Sequence, residues 1–575
     1  MATIQRSTLE GVLKELATLW ELQGANAFKV NAHLKAARAV GQFEGDLDAL
    51  VAAGQVREIP GIGAGMAAKI EAFVRHGTID ELQQLRGEIP PEVVALTEIP
   101  SLGARKVRTL WQAGIDSPAA LKAACEDGSL AAIAGFGPKT ASKLLAALEQ
   151  RQQYAKRHRL DTAWEAAETL LAVLHGHPAV AASAPVGELR RRRETVAAVE
   201  LLIASDDPEA VVAALGNQPR VESTQPEQVN LVGGLQVELH WVTPTAFPQA
   251  LLELTGSPGH TAQLHGRAAS QGLNFDGAGL RPVAGGAPLP VATEADLYRH
   301  LGLAFVAPEL REGEGEVEAA ARGQLPRLVE LDDLRGLLHM HTHYSDGRPQ
   351  VEDYARWAQQ RGLSWMVITD HSQSLSVANG LSPERVLAQH AEIDAVNGRH
   401  GPQVRLFKGI ESDILADGRL DYADDFLPHF ELVIASIHSH FNLTAKEQTH
   451  RLCTALDNPH TAVLGHITGR LLLRRDGYPV DQRAVIDHAA AVGAAIEINA
   501  NPWRLELDWR WVRYAVDKGV LISISPDAHD LSGLDHTVFG VAMARKGWVT
   551  PEGLLNCWEA PQLEAWLQRR RTGAP

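Results

Sequence analysis

The sequence is poor in cysteine, in aromatic residues and in long apolar runs. It has three cysteines among 575 residues, Cys125, Cys453 and Cys557, and none of them forms a CxxC pair. This odd, widely spaced set predicts a reduced, cytoplasmic chain and argues against a thiolate metal site. No stretch approaches the roughly 18 apolar residues of a membrane span. The first 20 residues are typical of an amphipathic helix rather than a secretion signal, so no membrane partner is expected.

Positive charge is also scarce. The chain carries 54 Lys and Arg against 70 Asp and Glu, a formal net charge of −16, which by itself argues against a nucleic-acid partner. The distribution is uneven, because residues 1–160 hold 19 basic and 17 acidic side chains whereas the remainder holds 35 and 53. A nearly neutral front can bind phosphates through a few well-placed groups, and an acidic remainder suits metal ions. At this length two to four domains are expected.

One pattern occurs three times before residue 150, in segments 57–70, 97–110 and 131–144. Each segment has apolar residues, a small glycine-containing turn and then a helix with a basic side chain nearby. Glycine lets the turn bend and brings backbone N–H groups to the surface, and the helix that follows adds its partly positive N-terminus. This combination binds phosphate without reading bases. The candidate DNA-binding residues are Gly61, Gly63, Gly65, Lys69, Gly103, Lys106, Gly135, Gly137 and Lys139.

These segments resemble helix-hairpin-helix elements, which bind the DNA backbone, in some relatives with a monovalent cation on the turn carbonyls. The alternative is that the turns only join helices of an α-helical bundle, and the threefold repetition favours DNA binding. The basic segment 25–40 resembles the opening of the small N-terminal domain of family X DNA polymerases. Lys69 stands where some of these relatives carry a lyase lysine for abasic sugars. We favour a phosphate contact for Lys69 over Schiff-base chemistry.

Metal-ligand side chains follow a series of apolar, strand-like runs after about residue 335. Such strands alternate with helical stretches and predict a parallel barrel, in which ligands at the carboxyl ends of the strands converge at one mouth. In an H-x-H strand the two imidazoles point to the same side. Nitrogen and oxygen donors without sulfur suit Mn²⁺, Zn²⁺ or Fe²⁺, which lower the pKa of bound water. The nine candidate ligands are His339, His341, Asp346, His371, Glu411, His438, His466, Asp527 and His529.

This ligand series resembles the PHP (polymerase and histidinol phosphatase) domain over residues 333–570. The resemblance implies a distorted (β/α)7 barrel with three metal ions. It implies a first site from His339, His341, Glu411 and Asp527, a second from Glu411, His438 and His466, and a third from Asp346, His371 and His529. No matching position is lost, so we expect an active centre. Arg470 either contacts a phosphate or braces a carboxylate.

The segment 187–202, GELRRRRETVAAVELL, has four arginines before an apolar run typical of a strand. With hairpins before it and a PHP domain after it, the whole chain resembles the bacterial family X DNA polymerases. The stretch 308–312, PELRE, is a specific feature of that family. The family's palm strand carries Asp-x-Asp, and a third aspartate lies on a later strand. These carboxylates hold two Mg²⁺ or Mn²⁺ ions.

This chain departs from the family pattern at the palm. Ala198 and Glu200 stand at the aspartate pair, and Glu238 stands at the third position. Ala198 offers no ligand, and each glutamate moves its carboxylate by one methylene, which metal geometry tolerates poorly. Glu188 replaces a serine and puts negative charge where a triphosphate binds. Two alternatives stay open, a palm without catalysis and a weak Mn²⁺- or Mg²⁺-dependent polymerase that uses Glu200 and Glu238.

Nucleotide contacts are expected from four residues around this strand and the thumb. The resemblance assigns this role to Gly187, Arg190, Gly256 and Ser257. For the arginine run 190–193 the alternatives are a solvated strand edge and phosphate contact, and the family context favours phosphate contact.

The predicted fold is multidomain, with an α-helical helix-hairpin-helix N-terminal region, an α+β nucleotidyltransferase palm and thumb, and a C-terminal distorted (β/α)7 PHP barrel. The expected boundaries are 1–85 for a small helical domain, 86–152 for a fingers-like domain, 153–240 for the palm, 241–312 for the thumb, 313–332 for a linker and 333–575 for the PHP domain.

The leading hypothesis is a DNA-repair enzyme of base excision repair type. Its PHP centre would hydrolyse phosphodiesters from a DNA 3′ end, with Mn²⁺ as the expected metal, while its polymerase core holds gapped or nicked DNA, with or without a dNTP. One alternative is a small-molecule phosphoesterase of the PHP type, which would have no use for three DNA-binding hairpins. The other is a DNA-binding scaffold without catalysis, against which the intact ligand set argues.

Overall fold

The computed structural model describes residues 6–43, 47–99, 102–276, 279–400 and 403–572. The chain separates into two units, Met1–Ala155 and Lys156–Pro575. Pro100 and Ser101 of the second hairpin motif lie outside the described residues. Within the described ranges, no helix is both long and apolar enough to cross a lipid bilayer.

The first unit is α-helical and has its own apolar core. In its first helix Leu9, Leu13 and Leu16 recur at helical spacing and are fully buried, as expected for an amphipathic helix with one face against its neighbours. The helices are α1 (Arg6–Gln23), α2 (Ala27–Gln42), α3 (Leu47–Ala53), α4 (Ala64–His76), α5 (Asp80–Glu88), α6 (Pro91–Leu96), α7 (Ala104–Gln112), α8 (Pro118–Glu126) and α9 (Pro138–Tyr154).

The palm opens the second unit with a small antiparallel pair, β1 (His158–Arg159) and β3 (Thr195–Val196). Its five-stranded sheet has the strand order β2-β4-β7-β6-β5. The remaining elements are α10 (Leu160–Gly176), β2 (Val180–Pro185), α11 (Gly187–Arg190), β4 (Val199–Ser205), α12 (Pro208–Gly216), β5 (Val221–Gln225), β6 (Gln228–Leu231) and β7 (Gln236–Val242). Because β4 and β7 are parallel neighbours in register, Glu200 lies beside Glu238.

The thumb follows as helices around a two-stranded ribbon. Its elements are α13 (Phe247–Thr255), α14 (Pro258–Ser270), β8 (Leu273–Asp276), β9 (Gly279–Pro282), α15 (Glu294–His300) and α16 (Glu316–Arg322). The segment 313–332, expected as a linker, is therefore partly helical. It is also fixed to the thumb, because the buried Glu316 carboxylate lies 2.6 Å from His260 Nδ1.

The last part of the chain is a parallel barrel. Seven strands follow one another in chain order, and every neighbouring pair is parallel. They are β10 (Gly336–Leu337), β11 (Trp365–Ile368), β12 (Arg405–Asp413), β13 (Leu432–Ser436), β14 (Thr461–Leu464), β15 (Ala495–Asn499) and β16 (Ile522–Ser525). A parallel bridge between Met340 and Ala528 brings the first and last strands together, so the barrel is nearly closed.

Helices cover the outside of the barrel. They are α17 (Val351–Gln360), α18 (Pro383–His400), α19 (Ala445–Asp457), α20 (Gln482–Val492), α21 (Trp509–Asp517), α22 (Thr537–Lys546) and α23 (Ala560–Thr572). Strands β13 to β16 are buried along their whole length, as expected for a parallel sheet enclosed by helices. The expected PHP-type barrel is confirmed.

The palm and the barrel share one apolar core. Leu160, Leu201 and Leu239 of the palm belong to the same contiguous buried cluster as Met340 and Ile410 of the barrel. Burial of this shared surface stabilises the two parts together, at about 25 cal/mol per Å² of apolar area removed from water.

Buried charge pairs reinforce the junction between palm, thumb and barrel. The Lys546 ammonium of α22 donates to Glu312 Oε1 at 2.7 Å and to the carbonyl of Arg191 at 2.9 Å. Arg545 donates to Glu309 Oε1 at 2.8 Å. Both glutamates belong to the stretch 308–312, so this segment contributes to the contact between the polymerase-like part and the barrel.

Candidate metal centre and nucleic-acid contacts

Glu411 is the centre of the cluster at the barrel mouth. It lies near the end of β12 and is 1% exposed. Its Oε1 lies 3.0 Å from His466 Nε2, 3.2 Å from His339 Nε2 and 3.3 Å from His438 Nε2. Its Oε2 lies 2.8 Å from His371 Nδ1. One carboxylate therefore has four imidazoles from four strand ends around it, and this arrangement suits a bridging metal ligand.

His339 and His341 converge on a second carboxylate, Asp527. Its Oδ1 lies 3.2 Å from His341 Nε2 and 3.7 Å from His339 Nε2. The expected regular H-x-H strand is wrong in detail, because β10 ends at Leu337 and His339 has a φ of +66°. The two imidazoles still reach one carboxylate, since the bridge at Met340 holds this segment against Ala528.

A third group lies beside the other two. Asp346 Oδ1 lies 3.4 Å from His529 Nε2 and 3.5 Å from His371 Nε2. His341 also belongs to this group, as ligand atoms of His341, Asp346, His371 and His529 lie within 4.8 Å of one another. The sequence assignment placed His341 in the first site only. All nine predicted ligands thus come together at one mouth.

The charges of the cluster favour bound cations. Burial alone would raise the pKa of the Glu411 carboxyl, but His438 and His339 hold it well below its ordinary value. Burial also opposes ionisation of Asp346, yet His529 and His341 lower its pKa to about 2. The carboxylates are therefore ionised at neutral pH.

The imidazole of His341 is neutral at that pH. Burial, reinforced by the neighbouring His371 and His529, lowers the pKa of His341 to about 4. A histidine must be deprotonated to bind a metal, so His341 is ready for coordination.

The donor atoms fit metal ions. Ring nitrogens of His339, His341 and His371 and the Oε2 of Glu411 are buried without hydrogen-bond partners among the described residues. Buried polar atoms are nearly always paired in native proteins. This concentration of unpaired nitrogen and oxygen atoms at one point therefore indicates bound partners that the protein does not itself supply, such as metal ions. The donors are nitrogen and oxygen only, as expected for Mn²⁺, Zn²⁺ or Fe²⁺.

Three supporting residues were missed by the sequence analysis. Glu497 of β15 accepts a hydrogen bond from His339 Nδ1 at 2.5 Å, and Asp413 accepts one from His438 Nδ1 at 2.5 Å. Asn499 donates to Asp527 Oδ2 at 3.0 Å. Such contacts orient a ligand and fix which ring nitrogen is free. The signal was available in "AIEIN", where a glutamate interrupts an otherwise apolar strand.

Arg470 braces a carboxylate. Its guanidinium donates to Asp508 Oδ2 at 2.9 Å and to the carbonyls of Arg504 and Leu505. All three nitrogens are used within the protein, so the structure supports this alternative over phosphate contact. Arg504 lies closer to the centre, with Nε 3.5 Å from Asp527 Oδ2.

The palm carboxylates form a much smaller group. Glu200, Glu238 and His240 bring one ligand atom each to within 4.8 Å of the others, and His240 Nε2 lies 3.1 Å from Glu200 Oε1. This hydrogen bond raises the pKa of His240 against the effect of burial. Gly187 has a φ of +63°, and a Cβ there would lie 2.1 Å from Glu200 Oε2. The positive φ at this position favours glycine, and the flexible end of the Glu200 side chain would have to move to make room for a Cβ.

Glu188 is paired within the palm. Its Oε2 accepts from Arg157 at 2.9 Å and from the backbone N–H of Ala197 at 2.8 Å. The negative charge expected to repel a triphosphate is thus partly neutralised by Arg157.

The arginine run is committed to contacts inside the protein. Arg190 pairs with Glu294, at 2.9 Å from Nη2 to Oε2, and donates to Thr255 Oγ1 at 2.7 Å. Arg191 and Arg193 both pair with Glu312, at 3.2 and 3.3 Å. The run is therefore not a solvated strand edge, and a phosphate would have to compete with these ion pairs, so phosphate contact stays a prediction.

Arg192 makes a different kind of contact from its neighbours. Its guanidinium carbon lies 3.2 Å from the ring centroid of Trp164. Burial lowers the pKa of Arg192 to about 10.

Gly256 and Ser257 stand at the start of a thumb helix. Ser257 caps α14, because its Oγ accepts from the N–H of His260 at 3.1 Å. The Ser257 N–H donates to the carbonyl of Arg311 at 3.0 Å. Nucleotide contact by Gly187, Arg190, Gly256 and Ser257 stays a prediction.

The three hairpins of the first unit have the same kind of cap at their second helix. In each, a glycine caps the following helix, Gly63 for α4, Gly103 for α7 and Gly137 for α9. Each cap is exposed and follows a buried apolar residue. Gly61 and Gly135 have φ of +88° and +91°, which only glycine adopts readily. The arrangement leaves helix N-termini open to an anion.

The basic residues near the hairpins differ in exposure. Lys106 and Lys139 are exposed. The Lys69 ammonium instead lies 2.8 Å from His33 Nε2 and forms an ion pair with Glu81. Phosphate contact by Lys69 would require this ion pair to open, and both of its suggested roles stay predictions.

The chain was compared with known proteins. It is 36% identical over 566 residues to the DNA polymerase/3′-5′ exonuclease PolX of Bacillus subtilis, covering 97% of this chain and 98% of the relative. The chain belongs to the PolX family.

Matches to domain families agree with this PolX assignment. They cover a helix-hairpin-helix domain at residues 5–79, a tandem SAM-like helix-hairpin-helix at 93–150, the DNA polymerase beta thumb at 250–312 and a PHP domain at 338–501. DNA binding follows from membership of this family.

Two further relatives match the PHP part alone. A probable phosphatase of Syntrophotalea carbinolica is 30% identical over 166 residues, which is 28% of this chain and 64% of the relative. A probable phosphatase of Shewanella sediminis is 28% identical over 232 residues, 38% of this chain and 87% of the relative. Only the PolX relative spans both the polymerase-like part and the barrel of this chain among these three.

Proposed function

We propose that this PolX protein removes nucleotides from DNA 3′ ends at the PHP centre, and that its palm is impaired in nucleotide transfer. The observation that carries the proposal is the convergence of nine ligand-type side chains around Glu411 with unpaired buried donor atoms. Mn²⁺ is the metal we expect in the three sites. Divalent cations at such a centre activate water for attack on phosphorus and neutralise the charge that develops on the phosphate.

The residues of the chain prepare that chemistry in distinct ways. Glu497 and Asp413 fix the tautomers of His339 and His438, so that each ring directs Nε2 to Glu411. The neutral His341 and the ionised Glu411 and Asp527 are already in the protonation state that coordination needs. Against the effect of burial, neighbouring carboxylates raise the pKa of His339, His438 and His529, so metal binding must displace a proton from each of these imidazoles. The barrel wall excludes water behind them, since Ile410, Ile434 and Ile498 are fully buried.

The palm supports a DNA-holding role. Glu200 and Glu238 with His240 offer one cation site, whereas nucleotide transfer uses two ions held by three carboxylates. A weak Mn²⁺-dependent polymerase is the second candidate, favoured by the proximity of these three residues. Gapped or nicked DNA is the expected substrate, held by the hairpins. The scarcity of cysteine favours action in the reducing cytoplasm.

The test is one labelled gapped primer–template with Mn²⁺ or Mg²⁺, with and without dNTPs, incubated with wild type and His339→Ala. We expect wild type to shorten the primer and His339→Ala to lose this activity by roughly 10³-fold, about 4 kcal/mol of barrier. Nuclease activity that survives in His339→Ala would contradict the assignment of the centre.

Two controls separate the alternatives. Extension of the primer by His339→Ala would show that the palm still transfers nucleotides. No extension with either metal would show that the palm only holds DNA. Hydrolysis of small phosphomonoesters in preference to the primer would support the phosphatase alternative. That alternative is suggested by the two relatives that match only the PHP part of the chain.

A further inference from the structure

Trp503 is an exposed aromatic ring at the barrel mouth. Its side chain is 41% exposed, and it lies in the loop that follows β15. The next residue, Arg504, reaches Asp527 with its guanidinium at 3.5 Å. Trp503 therefore lies in a loop at the same, carboxyl end of the barrel strands as the candidate metal centre.

Trp503 is held at its backbone and at its ring. Its backbone N–H donates to Asn501 Oδ1 at 3.0 Å, and its backbone carbonyl accepts from the Leu472 N–H at 2.6 Å. The guanidinium carbon of Arg159 lies 3.6 Å from the ring centroid. Arg159 is itself fixed by a pair of hydrogen bonds to Asp161, at 2.9 and 3.0 Å. A ring positioned in advance loses little conformational entropy when a ligand stacks on it.

The surroundings of the ring are basic. Arg474, which is exposed, lies 5.9 Å from the Trp503 centroid. Arg159 comes from the palm strand β1 and Arg474 from the loop after β14, so the ring stands where the palm meets the barrel mouth. An exposed indole flanked by arginines suits a nucleobase attached to phosphate, since bases stack on aromatic side chains and arginine tracks the backbone.

We propose that Trp503 is the platform on which the unstacked base of the 3′-terminal nucleotide lies, with Arg474 contacting the adjoining phosphate. This inference rests on the proposed function of the centre. Stacking is tolerant of sequence because every base has a π-face, which agrees with hairpins that hold DNA without reading bases. The platform therefore selects a frayed or single-stranded 3′ end rather than a base sequence.

The first test measures binding without turnover. A single-stranded oligonucleotide with 2-aminopurine as its 3′-terminal base is titrated with full-length protein in EDTA. We expect wild type to quench the emission, and Trp503→Ala and Trp503→Leu to bind about 5- to 150-fold more weakly. Trp503→Leu keeps apolar volume without a π-face, and Trp503→Phe should retain most of the quenching.

The matched control is Trp357→Ala. Trp357 also lies beneath an arginine, with the Arg361 guanidinium 4.0 Å from its ring centroid, but it is half-buried and lies on α17, on the outside of the barrel. We expect this variant to bind as wild type does. Equal binding by wild type, Trp503→Ala and Trp503→Leu would overturn the proposal, and so would an equal loss in Trp357→Ala.

The second test compares hydrolysis of a natural 3′ end with that of a 3′ end whose last nucleotide lacks its base. We expect wild type to prefer the natural end and Trp503→Leu to treat the two ends within about twofold, because the stacking partner is gone in either case. The same preference in both proteins would overturn the proposal.

The phosphate contact is tested by salt dependence. For Arg474→Gln we expect the slope of log Kd against log salt to fall by about 0.7, the value for one phosphate of a single strand. An unchanged slope would remove Arg474 from the proposal.

The two levels of inference fail in different ways. Absence of hydrolysis by wild type with base-dependent quenching intact would sink the proposed nuclease and support the platform. Hydrolysis that depends on His339 but not on Trp503 would support the proposed nuclease and overturn the platform.

Discussion

The barrel mouth and the palm are two candidate cation sites of one chain, and they differ in how completely their side chains are committed. At the mouth, nine candidate ligands converge and further residues fix their orientation, as Glu497 does for His339. At the palm, Glu200 is hydrogen-bonded to His240, Ala198 offers nothing, and Glu238 is exposed. The difference teaches that an intact site is recognised by its supporting contacts as much as by its ligands.

The same substitution at both sites gives the largest expected contrast. Glu411→Gln removes the negative charge that four imidazoles surround, and we expect roughly a 10³-fold loss of 3′-end hydrolysis. The matched change Glu238→Gln should leave that hydrolysis within about twofold. Hydrolysis by both variants is measured on the labelled primer. Comparable losses in the two variants would contradict the assignment of hydrolysis to the barrel mouth alone.

A second prediction concerns the junction that joins the two regions. Lys546→Met removes the fully buried one of the three cations that pair with Glu312, and we expect about 3 kcal/mol of destabilisation. Adding Glu312→Gln should increase this loss by less than Glu312→Gln costs alone, because one of its ion pairs is already gone. Urea unfolding measures both. A loss for Lys546→Met below about 1 kcal/mol would mean that Arg191 and Arg193 suffice for Glu312.

A third prediction sharpens the role of the supporting residues. Glu497→Gln keeps the shape of the side chain but weakens its hold on His339 Nδ1, so we expect about a 10- to 100-fold loss of metal affinity. The measurement is hydrolysis as a function of Mn²⁺ concentration. Glu384→Gln, at an exposed position of α18, is the control and should follow the wild-type curve.

The smallest expected effect lies in the palm. The hydrogen bond from His240 to Glu200 raises the pKa of the imidazole, so this pair contributes stability that is present below the unfolded pKa and lost as pH rises through the folded pKa. Both side chains are partly exposed, and the contribution should be under about 1 kcal/mol. NMR titration should show the pKa of His240 fall towards its ordinary value in Glu200→Gln. An unchanged pKa of His240 in this variant would show that Glu200 does not raise it.

Much of the barrel could be predicted because its ligands are single residues at the ends of apolar runs. The apolar runs that form β11 to β16, together with the order of the histidines and carboxylates that follow them, specify which side chains meet. The backbone around His339 could not be predicted as well, because its positive φ depends on the bridge between Met340 and Ala528, a contact between residues 188 positions apart.

The arginine run shows the opposite limit. Four consecutive arginines indicate a phosphate site when only the local sequence is considered. The acidic partners of three of them, Glu294 and Glu312, lie more than 100 residues away. Charge that is balanced by a distant part of the fold leaves no local signal. The palm of this protein was therefore harder to predict than its barrel, although the family resemblance covers both.

The apolar core shared by palm and barrel limits how this protein can be divided. The hairpin unit has a core of its own between residues 9 and 148, so we expect it to fold without the rest of the chain. A cut at residue 333 would instead open a hydrophobic face and leave Lys546 without its acidic partner. Nuclease reagents made from this chain should therefore begin near Lys156 and keep the palm, because the palm covers an apolar face of the barrel.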